Sequence, residues 1–453
     1  MSFIKKIVKK VVKVVKKVVK VVVGVVKSVL GLGSPKFDTP DFASQGSQGI
    51  LINKTGSNTS LPVVYGTTRI GGTQVYAKTS GTDNVNLDIA FALAEGEIDA
   101  IQKVYFDGVQ VASTSGSGNK DPGNWSMTAP YTTSNCQIYF RTGSDSQSAI
   151  SQLSGLESWN PRFRGVAYVY CRFVYSEDVW KNGLPTITFD VKGKKVPTIS
   201  ASPSYSYSDD PARCILDYLT NDRYGKGIAF SDIDLTSFST ASSHFSSEGY
   251  KCRGNVDTNA TLYDNLIDLF TCCASYLVFG NKYRIVTEKV DNSVALTIDD
   301  SNTIGDIDYQ LGDRTQLLNR IKIKFMDETT EYRDNIKVLE SSTLKSNDND
   351  NTLEQELFFP YTKTQTQATD LARIVLNQSR QSHTMVLKCT IEAINLQVGD
   401  VVQVTNSTFG ITNKKFRVRE ITLLPENEIE LVLQEYDPDV YGSSIITDYK
   451  ADN

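Results

Sequence analysis

Chemistry needs a nucleophile, an acid–base group or a metal, and this 453-residue sequence is sparing with their signatures. Its two histidines, His244 and His383, lie far apart, and neither sits in a zinc-binding or Ser/His/Asp pattern. Each reads as a surface or core residue. Seven cysteines (Cys136, Cys171, Cys214, Cys252, Cys272, Cys273, Cys389) are an odd number, scattered and without metal-ligand spacing. The adjacent Cys272-Cys273 pair comes nearest to a motif, but neighbours on a helix point in different directions, so a shared metal is not expected. Buried structural thiols are, because free cysteine packs as a small hydrophobe. Reduced thiols suit folding in a cytosol, and no secretory cleavage site follows the N-terminal arm. Acids are plentiful, yet a cell-wall hydrolase needs a raised-pKa Glu with a carboxylate partner, or a metal or cysteine site. The residues therefore predict no catalytic site, no cofactor and no metal, and the chain is expected not to be an enzyme.

The elements that remain must explain a charge split. The net charge is −5, while residues 1–36 hold ten lysines and no acid, so the other 417 residues carry −15 against +10 for the arm. Such asymmetry predicts different partners for arm and body. With Ile4 at heptad position a, the arm places Ile4, Val11, Val18 and Val25 at a, and Ile7, Val14 and Val21 at d. Val8, Val15, Val22 and Val29 fill e. Lys6, Lys13, Lys20 and Lys27 fall at c, Lys9 and Lys16 at f, and Lys10 and Lys17 at g, making a basic face opposite an apolar stripe. Valine is a mediocre helix former, so something must cover the stripe. Branched residues at both a and d favour assemblies larger than dimers. Three readings stand: a helix bundle in an oligomer, an interfacial membrane helix, and a transmembrane span, which recurrent lysines disfavour. A nucleic-acid arm fits the charge but not the continuous valine stripe.

Past Gly31-Leu-Gly-Ser-Pro35 the chain is rich in Gly, Ser, Thr and Asn and reads as extended segment with turns, laid along the protein or a neighbour. "IQKVYFDGVQV" alternates around Asp107-Gly108, a strong hairpin signal. "GVAYVYCRFVY" (165–175) is apolar on both faces and so belongs in the middle of a sandwich or barrel. The polar stretch between them reads as a loop or insertion. Asp209 or Asp210 caps a helix begun by Pro211, with Ala212, Ile215, Leu216 and Leu219 inward. A second helix uses Leu262, Leu266, Leu269, Phe270 and Cys273, and a hairpin turns at Gly280-Asn281. A third helix, over Ala368, Leu371, Ala372, Val375 and Leu376, precedes closely spaced strands that predict a small barrel or sandwich. The expected fold is mainly β with α+β portions, in several domains, plus a long N-terminal amphipathic helix. The divisions are 1–33 arm, 34–83 extended segment, 84–200 β-rich domain, 201–360 α+β domain, 361–441 tube-like β domain and 442–453 polar tail.

Four blocks then resemble a known family in the same order: "NLDIAFALAEGEIDAIQKVYFDGVQV" (86–111), "CILDYLTNDRYGKGI" (214–228), "KCRGNVDTNATLYDNLIDLFTCCASYLVFGNKYRIVTEK" (251–289) and "QVGDVVQVTNSTFGITNKKFRVREI" (397–421). They resemble the tail hub of long-tailed bacteriophages, the tip-attachment or host-specificity protein J family, over roughly residues 50–441. "RYGKG" alone reads equally as a helix stop, and "VGDVV" as a common turn; four blocks in sequence are far more specific. The resemblance implies a structural homotrimer closing the distal end of the tail tube. Two barrel-like domains per subunit, drawn from 200–335 and 361–441, would match sixfold tube to threefold tip. It carries no catalytic residue over.

Expected partners are two sister copies, the distal tail protein and tube, the tape-measure protein and tail fibre or tip proteins. Host membrane and genome DNA would be met transiently during ejection. The expected location is the virion tail tip, with assembly in the host bacterial cytoplasm. Many family members continue into long receptor-binding regions, whereas this sequence ends in "EYDPDVYGSSIITDYKADN", so separate fibre proteins are expected to recognise the host. Rival classes are a tip adhesin or fibre-docking adaptor, and a membrane-active spike component using the basic arm.

Overall fold

The computed structural model describes residue 53, residues 60–157, 159–180, 183–312, 317–381, 383–425 and 427–442, and the backbone of 54–55 and 449–450. The arm, with every residue named for its apolar stripe and basic face, lies outside the described residues, as does most of the polar tail.

Strands dominate. The first are β1 (Lys54–Thr55), β2 (Val63–Tyr65), β3 (Thr67–Gly71), β4 (Thr73–Ser80), β5 (Asn86–Glu95), β6 (Ile98–Phe106), β7 (Val109–Ser113), β8 (Ser126–Met127), β9 (Cys136–Arg141), β10 (Val166–Val174), β11 (Ile187–Pro197) and β12 (Tyr205–Tyr207). All but β2 form two facing sheets, ordered β1-β4-β5-β10-β9 and β12-β11-β6-β7-β8, with β3 also on β11. Phe91, Ile101, Phe140, Val169 and Phe189 fill the space between them. β10 lies between β5 and β9, as its two apolar faces require: one faces the sandwich core, and Tyr168 and Tyr170 pack on the other side with Ile150 and Leu153. Asp107 and Gly108 take φ of 48° and 84°, so the β6–β7 hairpin closes through a turn with both central residues left-handed. The loop before β9 is less free than its polar composition suggests, since Trp125 is buried and donates to Ile138 O at 2.9 Å.

The segment read as extended chain supplies more than a tether. β2 pairs antiparallel with β13 (Gly254–Val256), far along the sequence. Its alternation splits it between two cores, Val64 facing the sandwich and Val63 and Tyr65 facing a helical layer. That layer holds α1 (Pro211–Thr220), α2 (Leu235–Glu248), α3 (Leu262–Thr271) and, later, α4 (Gln365–Gln378). Asp210 caps α1 through Ala212 N at 3.0 Å, with Pro211 at the first position. Leu262 departs from the expected stripe. At the first turn of α3 it is 43 % exposed, and Cys273 lies past the helix end yet inside the same core.

The hairpin β14 (Ser275–Phe279) and β15 (Tyr283–Thr287) turns through three residues, 280–282. Strands β16 (Leu296–Ile298) and β17 (Thr303–Gln310) precede β18 (Arg320–Asp327), β19 (Arg333–Glu340) and β20 (Glu354–Phe359). β20-β18-β19 form the sheet on which the helices pack, extended at its edge by β25 (Tyr449–Lys450). After α4 come β21 (Thr384–Cys389), β22 (Val401–Asn406), β23 (Ile411–Leu423) and β24 (Ile429–Glu435). These do not form the last sheet alone: its order is β16-β22-β23-β24-β21-β17. Its outermost strands, β16 and β17, are joined by residues 299–302 only. Six strands laid flat would set the edges about 24 Å apart. Five peptide steps reach at most about 18 Å. The sheet must therefore curl toward a barrel.

Candidate functional site: two junctions built from the sequence blocks

The four blocks meet in pairs. At the first junction α1 ends at Thr220 and the chain doubles back, Lys226 N donating to Tyr218 O at 3.0 Å and Ile228 N to Leu219 O at 2.9 Å. Carbonyls that the helix leaves unpaired are thus used. The return is so tight that a Cβ on Gly225 would overlap Tyr218 O, which explains the first glycine of "RYGKG". Tyr224 then reaches back to α1, its hydroxyl donating to Asp217 Oδ2 at 2.6 Å, where Tyr65 of β2 also donates at 2.7 Å. Burial pushes the Asp217 carboxyl up, outweighing Lys194 and the two tyrosine hydroxyls. Arg223 turns the other way and grips Glu95 of the "EGE" block, Nε–Oε1 2.8 Å and Nη2–Oε2 3.1 Å. Lys195 holds Glu97 at 2.7 Å. Sandwich and helical layer are clasped here beside an open cleft of about 550 Å³ lined by Leu61, Glu95, Arg223, Tyr224 and Leu262. Arg223 is 67 % exposed at its side chain, so Arg223→Ala should cost only about 0.5–1 kcal/mol. A double-mutant cycle with Glu95→Ala, read by urea denaturation, checks this; a coupling above 2 kcal/mol contradicts it.

The second junction is electrostatic. Glu288, directly after β15, is buried; Arg417 Nη1 donates to its Oε2 at 2.8 Å and Arg419 Nη1 to its Oε1 at 2.6 Å. Tyr441 donates to Oε2 at 2.5 Å, and Gln378 of α4 at 3.2 Å. Burial alone would raise this carboxyl, but Arg419, Arg417 and the Tyr441 hydroxyl outweigh it and hold it down at about 2. One carboxylate thereby ties hairpin, α4, curled sheet and the Tyr441 segment together. Arg284 adds a bond to Val398 O at 3.0 Å, and Gly399, with φ of 100°, lies against Val286. Within the sandwich two like devices recur: Arg69 and Tyr105 on Asp190, and Tyr170, Arg172 and Ser80 on Asp88.

Residue typing missed these partners. Their signal was weak but present: Asp217 interrupts an apolar helix stripe, and Arg417 and Arg419 stand two apart on either side of buried Val418. All seven cysteines are buried and unpaired, as expected of structural thiols. His244 packs near Phe245 and Tyr250, and His383 meets Tyr309 and Lys414. Among the described residues no group of three or more His, Cys, Asp and Glu is placed to hold a metal, and no helix is long and apolar enough to cross a membrane.

These strand-rich units and their clasped blocks are similar to phage tail proteins. The Phage-tail_3 family, "Putative phage tail protein", matches residues 264–421, which take in Glu288, Gln378, Arg417 and Arg419 of the second junction. More particularly, the baseplate hub protein pb3 of Escherichia phage T5 is 25 % identical over 459 residues, covering 85 % of this chain. The match takes in 48 % of pb3, so the chain spans about half the length of that relative. A chain in the virion of a native gene transfer agent particle shares the fold over 100 % of both chains, with a TM-score of 0.64 at 14 % identity. The chain is thus similar to structural proteins of phage tails and tail-like particles, a baseplate hub among them.

Proposed function

We propose that this chain is the homotrimeric central hub that closes the distal end of a long phage tail tube and adapts the sixfold tube to a threefold tip. The observation that carries the reading is the likeness to a baseplate hub along 85 % of the chain. The segments 84–200, 201–360 and 361–441 serve as hub domains. Distal tail protein, tube and fibre or tip proteins dock on them. The arms meet on the threefold axis, burying Ile4, Ile7, Val11, Val14, Val18, Val21 and Val25 with the e-position valines between copies. Each buried valine contributes roughly 1.5 kcal/mol, enough in sum to order a segment that is a poor helix former alone. The lysines face the lumen wall and the tape-measure protein, and the bundle gates genome passage. No step calls for catalysis or a cofactor.

Native mass spectrometry of the purified protein and cryo-electron microscopy of intact tails test this together. The expected result is three 50.1-kDa chains around a bore with their N-termini inward. A lone subunit, or N-termini splayed outward, overturns it. Tight binding of the intact oligomer to anionic liposomes would instead favour a membrane-active spike.

A further inference from the structure

One end of the sandwich is unusually apolar at its surface. Val109 is 68 %, Tyr175 66 %, Leu184 47 % and Val85 37 % exposed. They converge. Tyr175 N donates to Val85 O at 2.8 Å, Asp107 N to Thr186 O at 2.9 Å, and Val109 pairs with Phe106 across the hairpin. Behind them Phe106, Tyr131, Phe173 and Trp180 form a packed ring cluster with centroids 5.0–6.0 Å apart. Asp83, Asp107, Glu177 and Asp178 rim this end. The described segments that build it (82–85, 106–110, 174–180 and 183–187) contain no lysine or arginine; between the last two, from Trp180 to Gly183, the sequence has one basic residue, Lys181, against the four acids. It is the end away from the Glu95–Arg223 clasp, because β5 runs from Asn86 here to Glu95 there, and β6 returns from Ile98 to Phe106. An apolar patch of this kind calls for a cover.

The chain enters at the same place. The Asn53 side chain binds the Ile187 backbone both ways, Nδ2 donating to Ile187 O at 3.0 Å and Ile187 N donating to Oδ1 at 2.8 Å, and Ile187 pairs with Phe106. Immediately before Asn53 come Ile50, Leu51 and Ile52, at the end of a ten-residue stretch, 43–52, without a charge. We propose that Ile50, Leu51 and Ile52 cover the Val109–Leu184–Tyr175 end of their own subunit's sandwich. Three residues reach about 10 Å from Asn53, enough to span the adjoining Thr186 and Leu184 and no farther than this end. An uncharged segment meets the four rim acids without repulsion, and its backbone supplies donors to them. The lysine-rich arm has the opposite charge, but its nearest apolar residues lie more than twenty positions upstream of Asn53, so it lacks this proximity. The cover fixes where the arm leaves the subunit: at the sandwich end remote from the helical layer. The inference does not depend on the hub reading.

The test uses the full chain with two engineered cysteines, since all seven native ones are buried. Ile52→Cys with Leu184→Cys, treated with a mild thiol oxidant, should close a disulfide within one chain, seen by non-reducing electrophoresis and peptide mass spectrometry. Ile52→Cys with Ile391→Cys, an exposed residue of the curled sheet unit, should not. Hydrogen exchange provides the second readout: Leu51→Asp should speed exchange at 109–112 and 183–186 about tenfold and leave 262–271 unchanged. Disulfides joining separate chains, equal cross-linking of both pairs, or unaltered exchange in the Leu51→Asp protein each overturn the proposal.

Discussion

Replacing Glu288 by glutamine is expected to destabilise the protein by about 3–5 kcal/mol, the usual cost of removing one partner from a buried ion pair. The amide keeps the shape but leaves Arg417, 2 % exposed, and Arg419 without a counter-charge. Two guanidiniums then repel in a dry site, and the Tyr441 and Gln378 bonds lose their charged acceptor. The pH dependence carries its own signature. The carboxyl falls from 4.5 to about 2 on folding, so its contribution is complete above pH 4.5 and drains away as pH drops toward 2. It amounts to about 3 kcal/mol. Urea denaturation between pH 7 and pH 2.5 should show this loss in the parent and its disappearance in Glu288→Gln. Equal midpoints for the two proteins at pH 7 would show that the junction stands without the carboxylate. Replacing Glu288, Arg417 and Arg419 together by apolar residues should be milder than the single change, because no charge is left stranded.

The second large effect belongs to Gly225. Alanine there should cost about 3 kcal/mol or more, through steric overlap and the polar groups it unseats. The new methyl meets Tyr218 O and lies 2.8 Å from Asn221 O, and both atoms are rigid backbone at the end of α1. The loop must lift. Lifting breaks Lys226 N–Tyr218 O and Gly227 N–Asn221 O, and withdraws Tyr224 from buried Asp217. Gly227 makes the control: its φ is 66°, but its added Cβ would come no closer than 3.6 Å to Asp222. Gly227→Ala should therefore cost only about 1 kcal/mol of backbone strain. Limited proteolysis between 221 and 228, followed alongside denaturation, should rank Gly225→Ala well above Gly227→Ala in cleavage. The reverse ranking would mean that loop conformation, not the close approach to α1, sets the requirement for glycine.

Local elements were the legible part of this protein. An Asp ahead of Pro211 (Asp209 or Asp210, of which Asp210 is the cap) specified the start of α1, Asp107-Gly108 the turn between β6 and β7, and the doubly apolar 165–175 stretch the central place of β10. Each rests on a rule acting within a few residues: an unpaired helix N–H, a left-handed φ, a side-chain period of two. The order of the four blocks, also readable in one dimension, carried the resemblance to tail hubs. Their meeting was not readable. Nothing near Glu288 announces Arg417, 129 residues on, and nothing near Glu95 announces Arg223, 128 residues on.

What the sequence by itself determined, then, was the inventory of helices, hairpins and turns, the split between basic arm and acidic body, and the likeness to tail hubs. Only the tertiary structure decided that Val63–Tyr65 divides between two cores, that β16 and β17 leave the α+β region to close the last sheet, and which buried charge answers which. The reason is physical. Dihedral preference and periodicity are properties of neighbours, whereas an ion pair or a sheet edge is satisfied by whichever group folding brings into a low-dielectric space, however far along the chain it began.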